Sequence, residues 1–345
     1  MKIQVNARNR AYRFSVAEGQ RILYGGLADG INLPYECGSG TCGTCKARLT
    51  AGQIDDLWPE APGRKYLKQP GEFLMCQCTA RGDISLEVTN FVYTADPGAC
   101  RPLPGRGVVR NPRLLTRDVI AFSIELTEPC DFDAGQFMVV QVPGVSGYRG
   151  YSMVNFERGA KRLDFLVKKK PGGGASEWLF KGGIEGQSVE WFGPLGAATF
   201  FPALAKNLLL IAGGSGIAGM MSILSRACQE HYFDQYHGYV FFGVRGMKDA
   251  FFLQELAQFQ REFPQKLAVT IALSDEDAPV GVSDYPGLMF DRGFVHEVAA
   301  RHMKGKYQNM RAYLAGPPPA VDAAIRVLLL EAKLTADNIR YDKFS

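Results

Sequence analysis

The chain has 345 residues, 46% of them hydrophobic and 21% charged, a balance that suits a soluble globular protein with room for two or three domains. A net charge of +4 is too small to argue for nucleic acid, and no apolar run approaches the length of a membrane span, so neither is an expected partner. Eight cysteines in a chain of this length do not make a disulfide framework. The opening Met1-Lys2-Ile3-Gln4-Val5 alternates like a strand and lacks the apolar core of a signal peptide. A reducing cytoplasm is therefore the expected location.

Residues 1–93 read as two strands, a short helix, a cysteine-bearing loop and further strands that end at 84–88. The Pro- and Gly-rich stretch 94–104 reads as a linker. Residues 105–201 carry β-like runs at 119–126, 137–142, 163–167 and 188–192, separated by Gly and Pro turns, the pattern of a small antiparallel barrel. In residues 202–345 the pattern changes. A continuous apolar run at 208–212 predicts a buried parallel strand. After it come a helix over 217–230, a strand at 238–243, a helix over 249–261, strands at 267–273 and 311–315, and a helix over 318–333. Alternating strands and helices predict a doubly wound α/β domain. The expected fold is thus multidomain: an α+β domain, an antiparallel β-barrel and a doubly wound α/β domain.

Three cysteines, Cys37, Cys42 and Cys45, crowd into one glycine-rich loop, and Cys76 follows downstream. This C-x4-C-x2-C…C spacing resembles the plant-type [2Fe–2S] ferredoxins, whose domain is a β-grasp. Two irons with bridging sulfides each take two thiolates; a tight loop supplies three and a strand behind it the fourth. Gly38, Gly40 and Gly43 remove Cβ atoms where backbone must close around the cluster, so that N–H groups point at sulfur. Cys42-x2-Cys45 alone is also half of a zinc knuckle, but no second knuckle accompanies it. Cys78 competes for the fourth position, because on a strand it shares a face with Cys76. The family's Leu-x-Cys-Gln wording falls on Leu74-Met75-Cys76-Gln77, so the resemblance makes Cys37, Cys42, Cys45 and Cys76 the metal ligands and Cys78 a buried neighbour. Cys100, Cys130 and Cys228 read as inert thiols, and none of the four histidines has ligand spacing with the cysteines.

In the barrel block stand Arg149-Gly150-Tyr151-Ser152, then Gly173-Gly174-Ala175-Ser176 at the start of a predicted helix. In this order they resemble the flavin domain of the ferredoxin–NADP reductase superfamily. The resemblance implies FAD: Tyr151 stacked on the isoalloxazine ring, Ser152 beside the reactive N5, and Arg149 on the pyrophosphate. The free N–H groups from Gly173 to Ser176 suit phosphate, and Lys168 matches a basic position just before them. Lys168-Lys169-Lys170 also reads as a solvated strand end.

Gly213-Gly214-Ser215-Gly216-Ile217 follows the apolar strand and opens a helix, where an open α/β sheet binds a phosphate-bearing ligand. It resembles the superfamily's first pyridine-nucleotide motif, with Gly219 where proline is usual. Phe242-Gly243-Val244-Arg245 and Tyr313-Leu314-Ala315-Gly316-Pro317 resemble its next two motifs, with Ala315 in place of the usual cysteine. The resemblance therefore implies NADH bound by Gly214, Ser215, Gly216, Ile217, Arg245, Gly316 and Pro317, with Arg245 also able to meet a 2′-phosphate. The tail Tyr341-Asp342-Lys343-Phe344-Ser345 resembles aromatic tails that end beside the flavin, which would put Phe344 with Tyr151 and Ser152 at the reacting ring.

Taken together, the chain resembles the NADH-dependent reductase components of bacterial multicomponent oxygenases, and its segment 56–63 resembles the toluene-type monooxygenase reductases. The resemblance implies electron transfer from NADH through FAD and the cluster to an oxygenase (hydroxylase) component or its ferredoxin. Two other readings stay open: the same relay serving a deoxysugar dehydratase or similar client, and a redox-sensing flavin and iron–sulfur protein. Asp55, Asp56 and Glu60 read either as part of a docking face or as a solvated loop.

Overall fold

The computed structural model describes residues 1–279 and 284–343. In the first block Ile3 and Val5 alternate with polar residues on β1 (Lys2–Asn6), and Tyr12 and Phe14 do so on β2 (Ala11–Ser15), which gives a hairpin with one buried face. Helix α1 (Ile22–Ala28) lies on that face. Then come β3 (Lys46–Ala51), β4 (Ile54–Asp56), a 3₁₀ turn (Pro62–Tyr66), β5 (Glu72–Leu74), β6 (Cys78–Ala80) and β7 (Ile84–Glu87). The sheet order is β2-β1-β7-β3-β5, with β1 and β7 parallel, and β4 pairs separately with β6. This mixed sheet grasping one helix is the expected α+β domain.

The second block is a six-stranded sheet in the order β11-β10-β13-β8-β9-β12. Its strands are β8 (Leu103–Thr116), β9 (Val119–Cys130), β10 (Phe137–Gln141), β11 (Arg149–Ser152), β12 (Ala160–Lys168) and β13 (Ser188–Leu195), with α2 (Gly174–Phe180) between the last two. A bridge from Met153 to Phe165 brings the two edge strands together and closes the barrel. Two of these strands have no counterpart among the predicted runs. β8 begins inside the stretch read as linker, and it carries Pro104, Gly105, Gly107 and Pro112; a register shift between Arg110 and Arg113 absorbs Pro112. β11 is four residues long and half-buried, too short for an alternation to show.

The third block is a six-stranded sheet, every pair parallel, in the order β17-β16-β15-β14-β18-β19. It runs β14 (Asn207–Gly213), α3 (Ile217–Gln229), β15 (Gly238–Val244), α4 (Leu253–Glu262), β16 (Leu267–Leu273), β17 (Met289–Arg292), α5 (Val295–Met303), β18 (Met310–Gly316), α6 (Pro318–Leu330) and β19 (Ile339–Lys343). Along β14, Leu208, Leu210 and Ala212 join the core shared with α3 and the barrel, while Leu209 and Ile211 face α5 and α6. Burial on both faces is why this strand reads as one apolar run. The helix expected from 249 starts instead at Leu253: Met247–Asp249 is a 3₁₀ turn, and Phe252 takes a left-handed φ of 59° that breaks any continuous helix. Strand order reverses at β14, with β15 on one side and β18 on the other, so the crevice beyond its carboxyl end is the topological switch point. Among the described residues no helix is long and apolar enough to cross a membrane.

Candidate functional site

The cysteine loop closes as its glycines demand. Gly38, Gly40 and Gly43 have φ of 61°, 87° and 78°, a region that L side chains rarely occupy. The four thiols fall into two pairs. Cys45 Sγ lies 3.2 Å from Cys76 Sγ, and the Cys42 thiol hydrogen-bonds Cys37. Backbone N–H groups of Ser39 and Cys42 donate to Cys37 Sγ, and that of Thr44 to Cys42 Sγ, each at 3.4 Å. The Gln77 side-chain amide donates to Cys76 Sγ at 3.3 Å. The Cys42 thiol and the N–H donors hold Cys37 well below the usual thiol range. Among the described residues no three His, Cys, Asp or Glu converge on a point as the ligands of one metal ion do. Two thiol pairs wrapped in N–H donors fit a two-iron cluster better than a single zinc.

A turn separates Cys76 from Cys78. Residues 75–77 leave the strand, with Gln77 N–H donating to Leu74 O at 2.9 Å, so the two side chains do not share a strand face. Cys76 swings to Cys45, while Cys78 sits in β6 opposite Asp56, where burial pushes its thiol well up.

This loop packs directly on the barrel. Tyr24 stacks on Phe192 with ring centroids 4.1 Å apart and donates to Gly38 O at 2.9 Å. Tyr35 Oη accepts the Gly196 N–H at 3.0 Å. A side chain on Gly150 would place its Cβ 3.6 Å from Cys37 O, so the cluster loop lies against β11, the strand that carries Arg149, Tyr151 and Ser152.

Between the three blocks opens a cleft of about 1380 Å³. Cys37 and Cys42 reach one wall; Arg149, Gly150, Tyr151, Ser152, Lys168 and 173–176 form the second; Ser215, Gly316 and Pro317 form the third. Tyr151 stands edge-on to Phe122, and burial pushes its phenol well up, so its ring is neutral. Arg149 donates from Nη1 to Ser146 O at 3.2 Å and Tyr148 O at 2.9 Å. Its Nε and Nη2 hydrogens make no hydrogen bond among the described residues. The first N–H groups of α2, from Gly174, Ala175 and Ser176, precede the first helical bond, Glu177 N–H to Gly173 O at 2.8 Å. Ser176 Oγ, by contrast, is held by Lys170 N–H at 3.0 Å and turned to Gly173 O at 2.9 Å, which ties the loop into a ring. Free donors and an unpaired guanidinium beside a flat aromatic ring are what the pyrophosphate and ring system of FAD require.

Not every predicted residue reaches the cleft. Ser215, Gly316 and Pro317 line it, but Gly214, Gly216, Ile217 and Arg245 do not. Gly216 is pressed onto β18, where a Cβ would lie 2.4 Å from Ala315 O, and Ile217 is core. Arg245 is held by Asp249 at 3.4 Å and by Asp118 of the barrel at 3.6 Å; Asp118 also holds Lys168 at 3.4 Å. Gly219 is in the first turn of α3, where a Cβ would lie 3.7 Å from Ser152 Oγ. Phe344 lies outside the described residues. Four residues at the site went unnoticed in the sequence. Gln77 stood inside the motif used to pick Cys76, and Trp58 in the segment that resembles the toluene-type reductases. Asp342 stood inside the tail that resembles those ending beside the flavin, and no signal marked Tyr35; Asp342 lines the cleft, and burial and the Glu36 charge push its carboxyl up to about 7.

A cleft with a cluster loop, a flavin cradle and a switch-point loop on its walls is the junction of a redox relay, and it defines the class as iron–sulfur flavoprotein oxidoreductases. Comparison with known proteins agrees block by block: a 2Fe-2S iron-sulfur cluster binding domain matches residues 5–81, an oxidoreductase FAD-binding domain residues 107–200, and an oxidoreductase NAD-binding domain residues 210–326. The ferredoxin–NAD(+) reductase component of the alkene monooxygenase system of Xanthobacter autotrophicus is 33% identical over 97% of this chain and 99% of its own. Among solved structures, the ferredoxin reductase in carbazole 1,9a-dioxygenase has a TM-score of 0.82 at 30% identity and covers 100% of this chain and 99% of its own. A cytochrome P450 reductase from Amycolatopsis has a TM-score of 0.79 at 28% identity and covers 99% of this chain and 98% of its own. The chain belongs to the family of NADH-dependent ferredoxin reductases that join a 2Fe-2S domain to FAD- and NAD-binding domains.

Proposed function

We propose that this chain is the reductase component of a multicomponent oxygenase, cytoplasmic, and that it delivers electrons from NADH to an oxygenase component or to that system's ferredoxin. FAD, when bound, supplies the conversion of a two-electron donor into single electrons, and the cluster carries them one at a time. The chain's own part is to bind, orient and screen. Arg149 and the N–H groups of Gly174, Ala175 and Ser176 take the FAD pyrophosphate; Tyr151 supports the ring, with Ser152 at its reactive edge. Ser215, Gly316 and Pro317 take the nicotinamide nucleotide from the facing wall. Cys37, Cys42, Cys45 and Cys76 hold the cluster.

The observation that carries the reading is the closeness of the cluster loop to the flavin strand within one chain: a Cβ on Gly150, between Arg149 and Tyr151, would lie only 3.6 Å from Cys37 O. Arg245 is paired by Asp118 and Asp249 through Nε and Nη2, which offsets the charge a 2′-phosphate would meet there and supports NADH over NADPH. The relatives' association with alkene monooxygenase and carbazole dioxygenase systems supports an oxygenase as client. A reducing cytoplasm suits eight free cysteines.

The test is to mix the NADH-reduced protein anaerobically with purified oxygenase components and follow its reoxidation. Rapid reoxidation by one of them, with single turnover of its organic substrate, is expected. Ready turnover with ferricyanide but with no oxygenase or oxygenase ferredoxin would refute the client. No turnover by fully loaded protein would favour a sensor.

A further inference from the structure

Resting on the assignment of Arg149 to the FAD pyrophosphate, we propose that Trp58 of the ferredoxin domain is a positioning residue for the flavin site. It holds the Arg149 guanidinium in place, so that FAD affinity depends on a residue of the cluster-bearing domain.

The guanidinium carbon of Arg149 lies 4.4 Å from the centroid of the Trp58 ring. Both residues line the cleft, and no carboxylate pairs with Arg149 among the described residues. An arginine with no acidic partner samples many rotamers unless something else orders it. Here a ring face does so from one side and two carbonyls, of Ser146 and Tyr148, from the other. Burial disfavours the Arg149 charge, which increases the value of an anion arriving in the cleft. An arginine already ordered loses less freedom when that anion binds.

Trp58 is itself fixed. Its N–H donates to Asp56 Oδ1 at 3.0 Å, and Asp56 also pairs with the Arg64 guanidinium. Its carbonyl accepts the Ala61 N–H at 3.0 Å. On the barrel side Gly147, at φ 72°, makes room for the indole: a Cβ there would lie 2.4 Å from Trp58 Cε3. The segment that carries Trp58 also reaches the cluster loop, where Gly63 N–H donates to Gly40 O at 2.8 Å. One stretch of chain therefore braces the cluster loop at one end and the flavin arginine at the other.

The test measures FAD dissociation constants by flavin fluorescence on full-length, cluster-loaded protein stripped of flavin, with the cluster's visible spectrum as the check on folding. Trp58→Leu keeps apolar bulk but no ring face. It is expected to weaken FAD binding about three- to tenfold, whereas Trp58→Phe restores most of it. Adding Trp58→Leu to Arg149→Ala is expected to cost nothing further, because the two act through one contact. Unchanged affinity in Trp58→Leu while Arg149→Ala binds weakly would overturn the proposal and leave the pyrophosphate assignment standing. Losses that multiply in the double variant would also overturn it, since Trp58 would then act elsewhere. Wild-type affinity in Arg149→Ala would bring down the assignment beneath it. Should Trp58→Leu lose the cluster spectrum, Trp58→Met, which also keeps apolar bulk without a ring face, is compared with wild type, alone and on the Arg149→Ala background, and decides on the same criteria.

Discussion

Cys76 and Cys78 make the sharpest test of the cluster geometry, because they are two residues apart, both buried and chemically identical. Cys76 Sγ sits 3.2 Å from Cys45 Sγ and accepts from Gln77, whereas Cys78 lies on β6 opposite Asp56. Replacing Cys76 by serine removes one of two thiolates from one iron, and the cluster's visible bands and its reduced EPR signal should be lost or grossly altered. Replacing Cys78 by alanine removes only one buried sulfur from the core. At about 1–2 kcal/mol for a deletion of that size, the ferredoxin domain stays folded and the cluster spectrum stays intact. The assay is iron and sulfide content per chain, with visible absorbance and EPR after dithionite. A full cluster in Cys76→Ser together with loss in Cys78→Ala would refute the reasoning and reassign the ligand.

Gln77→Met keeps the side-chain volume and removes the N–H donor to Cys76. Since such a bond favours the more negative reduced cluster, the potential should fall by about 20–60 mV, read by EPR-monitored redox titration; no shift or a rise would contradict this. Asp118→Asn removes one of the two carboxylates on Arg245 and the one on Lys168, and kcat/KM for NADPH should rise about threefold or more relative to NADH; an unchanged ratio would show that Asp118 has no part in nucleotide choice. Asp342, pushed up to about 7, keeps in the folded state a proton that the unfolded chain loses near the ordinary value of 3.8. Its contribution to stability therefore declines as pH rises from about 4 to 7. The Tm of Asp342→Asn relative to wild type should grow between pH 5 and pH 8, and a constant difference across that range would contradict the burial argument.

Some of this was legible in the residues and some was not, for physical reasons. The cluster loop and the switch-point glycines are local: their chemistry demands fixed spacings and residues without a Cβ, so the pattern survives in one dimension. β14 announced itself because both of its faces are buried. β8 did not, because a long strand that accommodates Pro104 and Pro112 has the composition of a linker. The pairing of Arg245 was not legible, since Asp118, one of its two partners, comes from the barrel. The stacking of Trp58 on Arg149 and the bond from Gly196 to Tyr35 join different domains, and no spacing rule reaches that far.

The measurement that bears most directly on the relay is an anaerobic titration of the purified protein with NADH, followed by visible absorbance and EPR together. NADH is expected to bleach the flavin, and the reduced-cluster signal is expected to grow in the same titration. Flavin bleached by excess NADH while the cluster stays oxidised, in a sample whose cluster dithionite readily reduces, would contradict it.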